Sequence, residues 1–339
     1  MNLSFSFRNI NDPQVREAWL GMESADTTPY LRYNYLKYVW SYTRRFAPYE
    51  AKVACVSSQQ RIVMIVPVKY SLFRRYWKFL GDLQGCNRTD ALFLPELSDD
   101  EKLEASRCFL RGMKAKGRLN RLQDGSVLRK AIPDASILKE SRRTYVHIPI
   151  QDNYESYFSS LSSSVRQNVR TAYNRMRRDG HEFVLRVFEG PDALSEEVWK
   201  AMMDVYCERL FGRYKKKKIH GVLSRMYWKN YYHNIKFDTK ALRQLPECFH
   251  AALYDGDRIV AMMSGLKTGS GKELTVPRLA IDIDYRFYSP GYILVNEVLK
   301  FMYAEGRFTM LDLGRGDERY KSDMGGVAYT TTDMVIKGI

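Results

Sequence analysis

The chain has 339 residues, 45% of them hydrophobic, with 24 Tyr, 16 Phe and a formal charge of +15 at pH 7. That length favours two domains with real cores, and the positive charge favours an anionic partner: a phosphorylated cofactor, an acidic glycan precursor, RNA or a lipid surface. No apolar run reaches the roughly 18 residues of a membrane span, and the opening MNLSFSFRNINDPQ lacks the pattern of a secretion signal.

The first strong signal in chain order is a hairpin over Val53 to Lys69, with its turn at Ser57–Gln60 followed by Arg61-Ile62-Val63. Leu94 to Glu101, LPELSDDE, opens a helix with acidic residues. Cys108 to Gln123 reads as the end of that helix near Gly117 and a strand beginning Gly117-Arg118. Ala131 to Asp152 marks a join, with Pro133, a basic Lys139–Arg143 segment and a strand-like Thr144–Ile150 interrupted by Pro149. Domains are therefore expected at 1–143 and 144–339.

After the join, Ser162 to Ser164 suit the cap of a helix that ends at Gly180. Its apolar face carries Val165, Val169, Ala172 and Met176, and its other face Arg166, Arg170, Arg177 and Arg178. Tyr214 to Lys218 reads as a solvated loop, or as a contact for an acidic substrate. A second hairpin runs from His250 to Leu266, with Asp255-Gly256 in the turn and Arg258-Ile259-Val260 in the register of the first copy. Lys300 to Asp312 then repeats the helix–strand form of 108–123, with Gly306-Arg307 at the junction. Matching order in the two halves points to duplication.

Tyr288 to Gly326 carries the densest chemistry. Ser289 suits an N-cap, Pro290 the first helical position, and Gly291 the close approach of a ligand. Free N–H groups at that start suit a pyrophosphate, although the same signals describe an ordinary capped helix. Leu311-Asp312-Leu313 is the strand that follows, and Gly314-Arg315-Gly316-Asp317 turns the chain towards Tyr320 and Lys321. A Tyr there suits protonation of a leaving thiolate and an Asp suits deprotonation of an amine; a salt-bridged surface turn would also explain the charges. His147, His181, His220, His233 and His250 share no metal-ligand spacing, and the five cysteines form no CxxC, so no metal is expected and buried thiols in a reducing cytoplasm are. Serine-hydrolase, Walker-loop and dinucleotide fingerprints are missing, which counts against those classes.

The run from Asp282 through Tyr288-Ser289-Pro290-Gly291 to Asp312-Leu313-Gly314-Arg315-Gly316-Asp317-Glu318-Arg319-Tyr320-Lys321 resembles the GNAT-type acetyltransferases named for the CelD cellulose-biosynthesis proteins. The resemblance covers most of 145–330. It implies an α+β chain of two tandem GNAT-like folds, each a mixed, mostly antiparallel sheet flanked by helices, an architecture similar to the Fem peptidyltransferases.

The resemblance further implies acetyl-CoA or another acyl-CoA in the second half, its pyrophosphate at Ser289, Pro290, Gly291 and Tyr292 and its pantetheine arm along a strand from about Leu274 to Ile283. Tyr320 becomes the candidate acid, Asp312 or Asp317 the base or substrate anchor, and Lys321 a phosphate or substrate contact. Arg166, Arg170 and Arg315 are candidate contacts for a small polar or anionic acceptor. The expected activity is N-acyl transfer to an amine, such as that of an amino sugar in cell-envelope polysaccharide synthesis. A Fem-like transferase using aminoacyl-tRNA and a non-catalytic GNAT-fold binding protein are the alternatives.

The chain departs from the family in three places. The usual Gln/Arg-x-x-Gly-x-Gly/Ala phosphate loop is reduced to Gly291. Arg319 stands where the family has Pro, and Leu313 where it has an aromatic. Before its helix the first half has acidic residues in place of Ser-Pro-Gly, so it is expected to be non-catalytic.

Overall fold

The computed structural model describes residues 2–45, 49–71, 75–82, 86–215 and 243–338. They form two compact units, Met1–Tyr145 with Ala328–Ile339, and Val146–Val327. The sequence-based division at 143/144 puts the last residues with the second half; in the structure Ala328–Ile339 cluster with the first.

The first unit opens with β1 (Leu3–Arg8), α1 (Pro13–Met22) and α2 (Tyr33–Arg45). Asp12 caps α1 by accepting from Gln14 N–H, Pro13 fills the first helical turn, and Val15, Trp19 and Met22 form the buried stripe. The hairpin follows as β2 (Tyr49–Ser58) and β3 (Arg61–Ser71), turned by Gln59 and Gln60, both at positive φ as a two-residue turn of the primed type requires. Then come β4 (Tyr76–Phe79), β5 (Leu92–Phe93), α3 (Asp99–Met113), β6 (Lys116–Gln123), α4 (Val127–Ala131) and β7 (Ile137–Pro149). The α3 start is closed by a capping box: Ser98 and Glu101 each satisfy the other's backbone. Trp19, Leu36, Met64, Ile65, Trp77, Phe79 and Phe109 are fully buried here, each worth on the order of 1.5–3 kcal/mol of transfer energy.

The second unit contains α5 (Tyr154–Ser160), α6 (Ser163–Arg178), β8 (Phe183–Glu189), α7 (Glu196–Lys215), β9 (Cys248–Asp255), β10 (Arg258–Lys267), β11 (Glu273–Ile281), α8 (Pro290–Glu305), β12 (Met310–Arg315) and α9 (Arg319–Asp323). Its strands lie in the order β12-β11-β10-β9-β8; β11 and β12 are parallel and the other pairs antiparallel. One sheet face buries Ala251, Leu253, Ala261 and Met263 with Val165, Val169, Ala172 and Met176 of α6 and Leu294, Val298 and Met302 of α8. The other buries Ala252, Tyr254, Met262 and Ala280 against Trp199, Met202, Met203 and Tyr206 of α7. The period-2 alternation of β9 thus feeds two helix layers.

The last strand, β13 (Val327–Ile336), pairs antiparallel with β6, and the first unit's strands run β1-β2-β3-β4-β6-β13, with β4 and β6 parallel. The hairpin–strand–helix–strand order read as a duplication is present twice, as β2-β3-β4-α3-β6 and β9-β10-β11-α8-β12. Tyr214 and Lys215 end α7; Lys216–Lys218, His220 and His233 lie outside the described residues. The five cysteines are buried and form no disulfide. Among the described residues no helix is long and apolar enough to cross a membrane.

Candidate active site

Strand β11 and helix α8 are joined by a 3-10 turn, Ile283–Tyr288. Asp282 starts it: buried at the strand end, its carboxylate accepts from Asp284 N–H at 3.0 Å and from Arg258 Nε at 2.8 Å. The strand expected to reach Ile283 therefore stops at Ile281, because the Asp282 side chain turns the backbone. Ile283 lies on the turn, 66% exposed.

Ser289 occupies the N-cap position of α8 but differs from the expected cap. Its backbone is left-handed, at φ 51°, and its side chain makes no capping hydrogen bond. Pro290 has no N–H, and the N–H groups of Tyr292 and Ile293 both fold back on Ser289 O, at 3.0 and 3.4 Å. The first turn carries no acidic side chain. A Cβ on Gly291 would come within 3.3 Å of Ile281 Cγ2, so the turn sits tightly over the β11 end. The expected set of free N–H groups is thus reduced, since Tyr292 and Ile293 are engaged with Ser289 O. What still suits a phosphate is an acid-free start without a side-chain cap, backed by a close-lying strand.

β11 and β12 pair only at Glu273, Leu274 and Thr275 against Met310, Leu311 and Asp312. Pro277 then offers no N–H to a ladder, and the hydrogen-bonded pairing ends. Just beyond, Gly314 and Gly316 take φ values of 72° and 110°, where a side chain is strained. Asp312 is fully buried and its Oδ1 accepts from Gly314 N–H at 2.7 Å. Lys321, with a side chain 3% exposed, donates to Gly314 O (3.2 Å), Arg315 O (2.9 Å) and Gly316 O (3.2 Å), and pairs with Glu318 at 3.0 Å. Burial works against the Glu318 carboxylate, but Lys321 beside it outweighs this and holds the group below its usual range. Asp312 and Lys321 thus grip one turn from both sides.

The cofactor and catalytic candidates meet at two aromatic rings. Tyr292 in the first turn of α8 lies 6.2 Å from Tyr320 of α9, at 71°. Tyr292 donates to Asp323 Oδ2 at 2.9 Å, and burial with that carboxylate raises its phenol to about 12. Asp317 and Arg315 are exposed on the turn. Arg166 donates to Ser159 O (2.5 Å) and Leu161 O (2.6 Å), closing the α5–α6 joint, whereas Arg170 is exposed.

Sequence reasoning missed several groups. Arg209, on α7, donates to Leu279 O beyond the last β11–β12 pair, and its charge also helps keep Glu318 ionised. Arg278, buried at 4%, lies on β11 just past the same point. Only a helix at 196–215 packed across the sheet brings Arg209 there, and no local motif marks it. Among the described residues, no cluster of three His, Cys, Asp or Glu could hold a metal ion.

Residues 163–322, which include the opening, the α8 start and the Lys321 turn, match the family model described as acetyltransferase (GNAT) domain. The fold is a tandem GNAT fold. The chain resembles a tandem GNAT protein from the clavulanic acid biosynthesis pathway at 10% identity and TM-score 0.53, covering 100% of this chain and 99% of that one. It is similar to FemX at 10% identity and TM-score 0.54, covering 99% and 98%. It also resembles the C-terminal domain of an Agrobacterium fabrum protein named as a lysylphosphatidylglycerol synthetase, at 13% identity and TM-score 0.56, covering 95% and 91%. At such identities these likenesses speak for the tandem GNAT fold alone. No curated protein matches the chain.

Proposed function

We propose that the second unit is an N-acyltransferase of the CelD-like GNAT type, taking an acyl group from acetyl-CoA or another acyl-CoA. Its acceptor is the amine of a polar precursor such as an amino sugar in polysaccharide synthesis. The observation that carries this reading is the parting of β11 and β12 beside the uncapped, acid-free start of α8, inside the segment that matches the GNAT model. The amine nitrogen forms a bond to the thioester carbonyl carbon and the carbon–sulfur bond breaks. Asp317, exposed on the turn, takes the amine proton, and Tyr320 gives a proton to the departing thiolate. Asp312 and Lys321 position the turn that carries them. Arg170 and Arg315 are contacts for the acceptor. Buried cysteines without disulfides suit a reducing cytoplasm.

Calorimetry and thermal shift with acetyl-CoA, longer acyl-CoAs and bulk tRNA test this. Acyl-CoA is expected to bind saturably and raise Tm, and Gly291→Glu, which puts a carboxylate against the helix start, to abolish both effects. Unchanged stability with every acyl-CoA, alongside tight and salt-sensitive tRNA binding, would replace the reading with a Fem-like one. A groove of about 330 Å³ in the first unit, where Arg118 and Lys139 stand beside an Arg143–Asp333 ion pair, carries the net positive charge that the second reading needs.

A further inference from the structure

The sheet face of the second unit that packs on α7 holds a polar row that none of these roles uses. In register, His250 on β9 lies opposite Ser264 on β10, and Ser264 lies opposite Arg278 on β11. All three are withdrawn from solvent, at 1%, 0% and 4% exposure. Ser264 Oγ lies 2.8 Å from His250 Nδ1, which satisfies one ring nitrogen. The other, Nε2, is buried without a hydrogen-bond partner.

Two more buried nitrogens of the same unit are also without an acceptor: Trp199 Nε1 on α7 and Arg243 Nε just before β9. The Arg243 guanidinium lies 5.9 Å from the Trp199 ring. Burial, then the charges of Arg278 and Arg243, lower the His250 imidazole to about 3, so it is neutral at pH 7. In the tautomer in which the Ser264 hydroxyl donates to Nδ1, Nε2 carries the hydrogen. In that tautomer the Nε2–H joins the Trp199 and Arg243 N–H groups as a third unmatched donor in a region with two guanidinium charges. A buried donor left unpaired is destabilising, and three donors in a positive field are the chemistry of an oxyanion site.

We infer that His250, Arg243 and Trp199 form an oxyanion site on the α7 face of the sheet, binding a carboxylate or phosphate group of the acceptor. Arg278 contributes its charge from β11, three residues past the last pair between β11 and β12. The acceptor's anionic group would then lie across the sheet from α8, the helix assigned to acyl-CoA. Calling the ligand the acceptor rests on the acyl-transfer reading; the binding of an oxyanion does not.

The test is the His250 ring C–H resonance in the full chain, assigned by its loss in His250→Gln and titrated with inorganic phosphate, acetate and, as a salt control, chloride. Phosphate or acetate should shift it saturably and raise its apparent pKa by about one unit, a tenfold change in proton affinity. The tighter of the two identifies the group. Arg243→Gln, at a half-buried position, should weaken the response at least about tenfold, the effect of losing one charge-assisted hydrogen bond. An unresponsive His250 in a protein that binds acetyl-CoA overturns the oxyanion site alone. A phosphate-responsive His250 in a protein indifferent to acetyl-CoA upholds the site and removes the acyl-transfer reading.

Discussion

In the first unit the parallel strands β4 and β6 part after Lys78 and Arg118; in the second, β11 and β12 part after Thr275 and Asp312. The same topology leads to different chemistry at the two openings. In the first, Asp82 laces the gap shut, accepting from Asn120 Nδ2 at 2.8 Å and from Arg121 Nη1 at 2.5 Å. Lys69 closes it further, donating to Leu80 O at 3.2 Å, with burial and the neighbouring Lys78 lowering its ammonium to about 7. Arg121 has left the strand conformation, at φ 62°, and its N–H binds Asp333 instead. The helix after this opening starts with a closed capping box and with Asp99, Asp100 and Glu101 in its first turn, which repel a phosphate. The second opening has an uncapped helix start and a glycine turn held from below. The two openings thus share a topology and differ in sealing: side chains close the first, and the helix start at the second has no side-chain cap.

Substitutions that unpick the seals should show this difference, and the largest effect is expected in the first unit. Asp82→Ala takes away the carboxylate partner of the Arg121 guanidinium at a site where the two side chains are only 7% and 17% exposed. Urea unfolding should register a loss of about 3 kcal/mol or more; a loss below about 1 kcal/mol would mean that the gap is not closed by this pair.

Next in size is Lys321→Met, which frees three carbonyls and Glu318 in the second unit. We expect about 2–3 kcal/mol lost in the same assay and a larger fall in kcat than in acyl-CoA affinity, because the turn carrying Asp317 loosens while the α8 start stays. Equal falls in both would show that the turn itself contacts acyl-CoA.

The gentlest contrast compares the two caps. Ser98→Ala should cost about 1 kcal/mol, whereas Ser289→Gly should be neutral or gain up to about 1 kcal/mol, since glycine accepts the left-handed backbone that serine resists. A costly Ser289→Gly would reveal a role for the hydroxyl that the free protein does not show.

Much of this frame was legible in the sequence. The two hairpins stand out through apolar runs split by short turns, and Ser289-Pro290-Gly291 marks a helix start by the proline's fixed φ. The duplication follows from element order. What the sequence hid is long-range. The spacing of Lys321 suggests an exposed cation after a turn, yet its ammonium is buried beneath three carbonyls because two left-handed glycines aim them inward. The Ser289 hydroxyl is a good cap by type, but a backbone tilted by the preceding 3-10 turn points it elsewhere. His250 has no neighbour in sequence that marks it; only register across three strands joins it to Ser264 and Arg278. The strand at 327–336 goes unread, since its partner β6 lies some two hundred residues earlier.

That strand governs when the first unit can close. The second unit's residues are all made before Ala328–Ile339 appear, so during synthesis it can reach its final packing while the first unit still lacks an edge. Until then β6 presents unpaired backbone groups, the condition under which strands from different chains adhere. Met334 and Ile336, almost wholly buried, close that exposure. A chain clipped only a few residues early would therefore keep its GNAT-matching segment whole yet leave the first-made half open to association with its own copies.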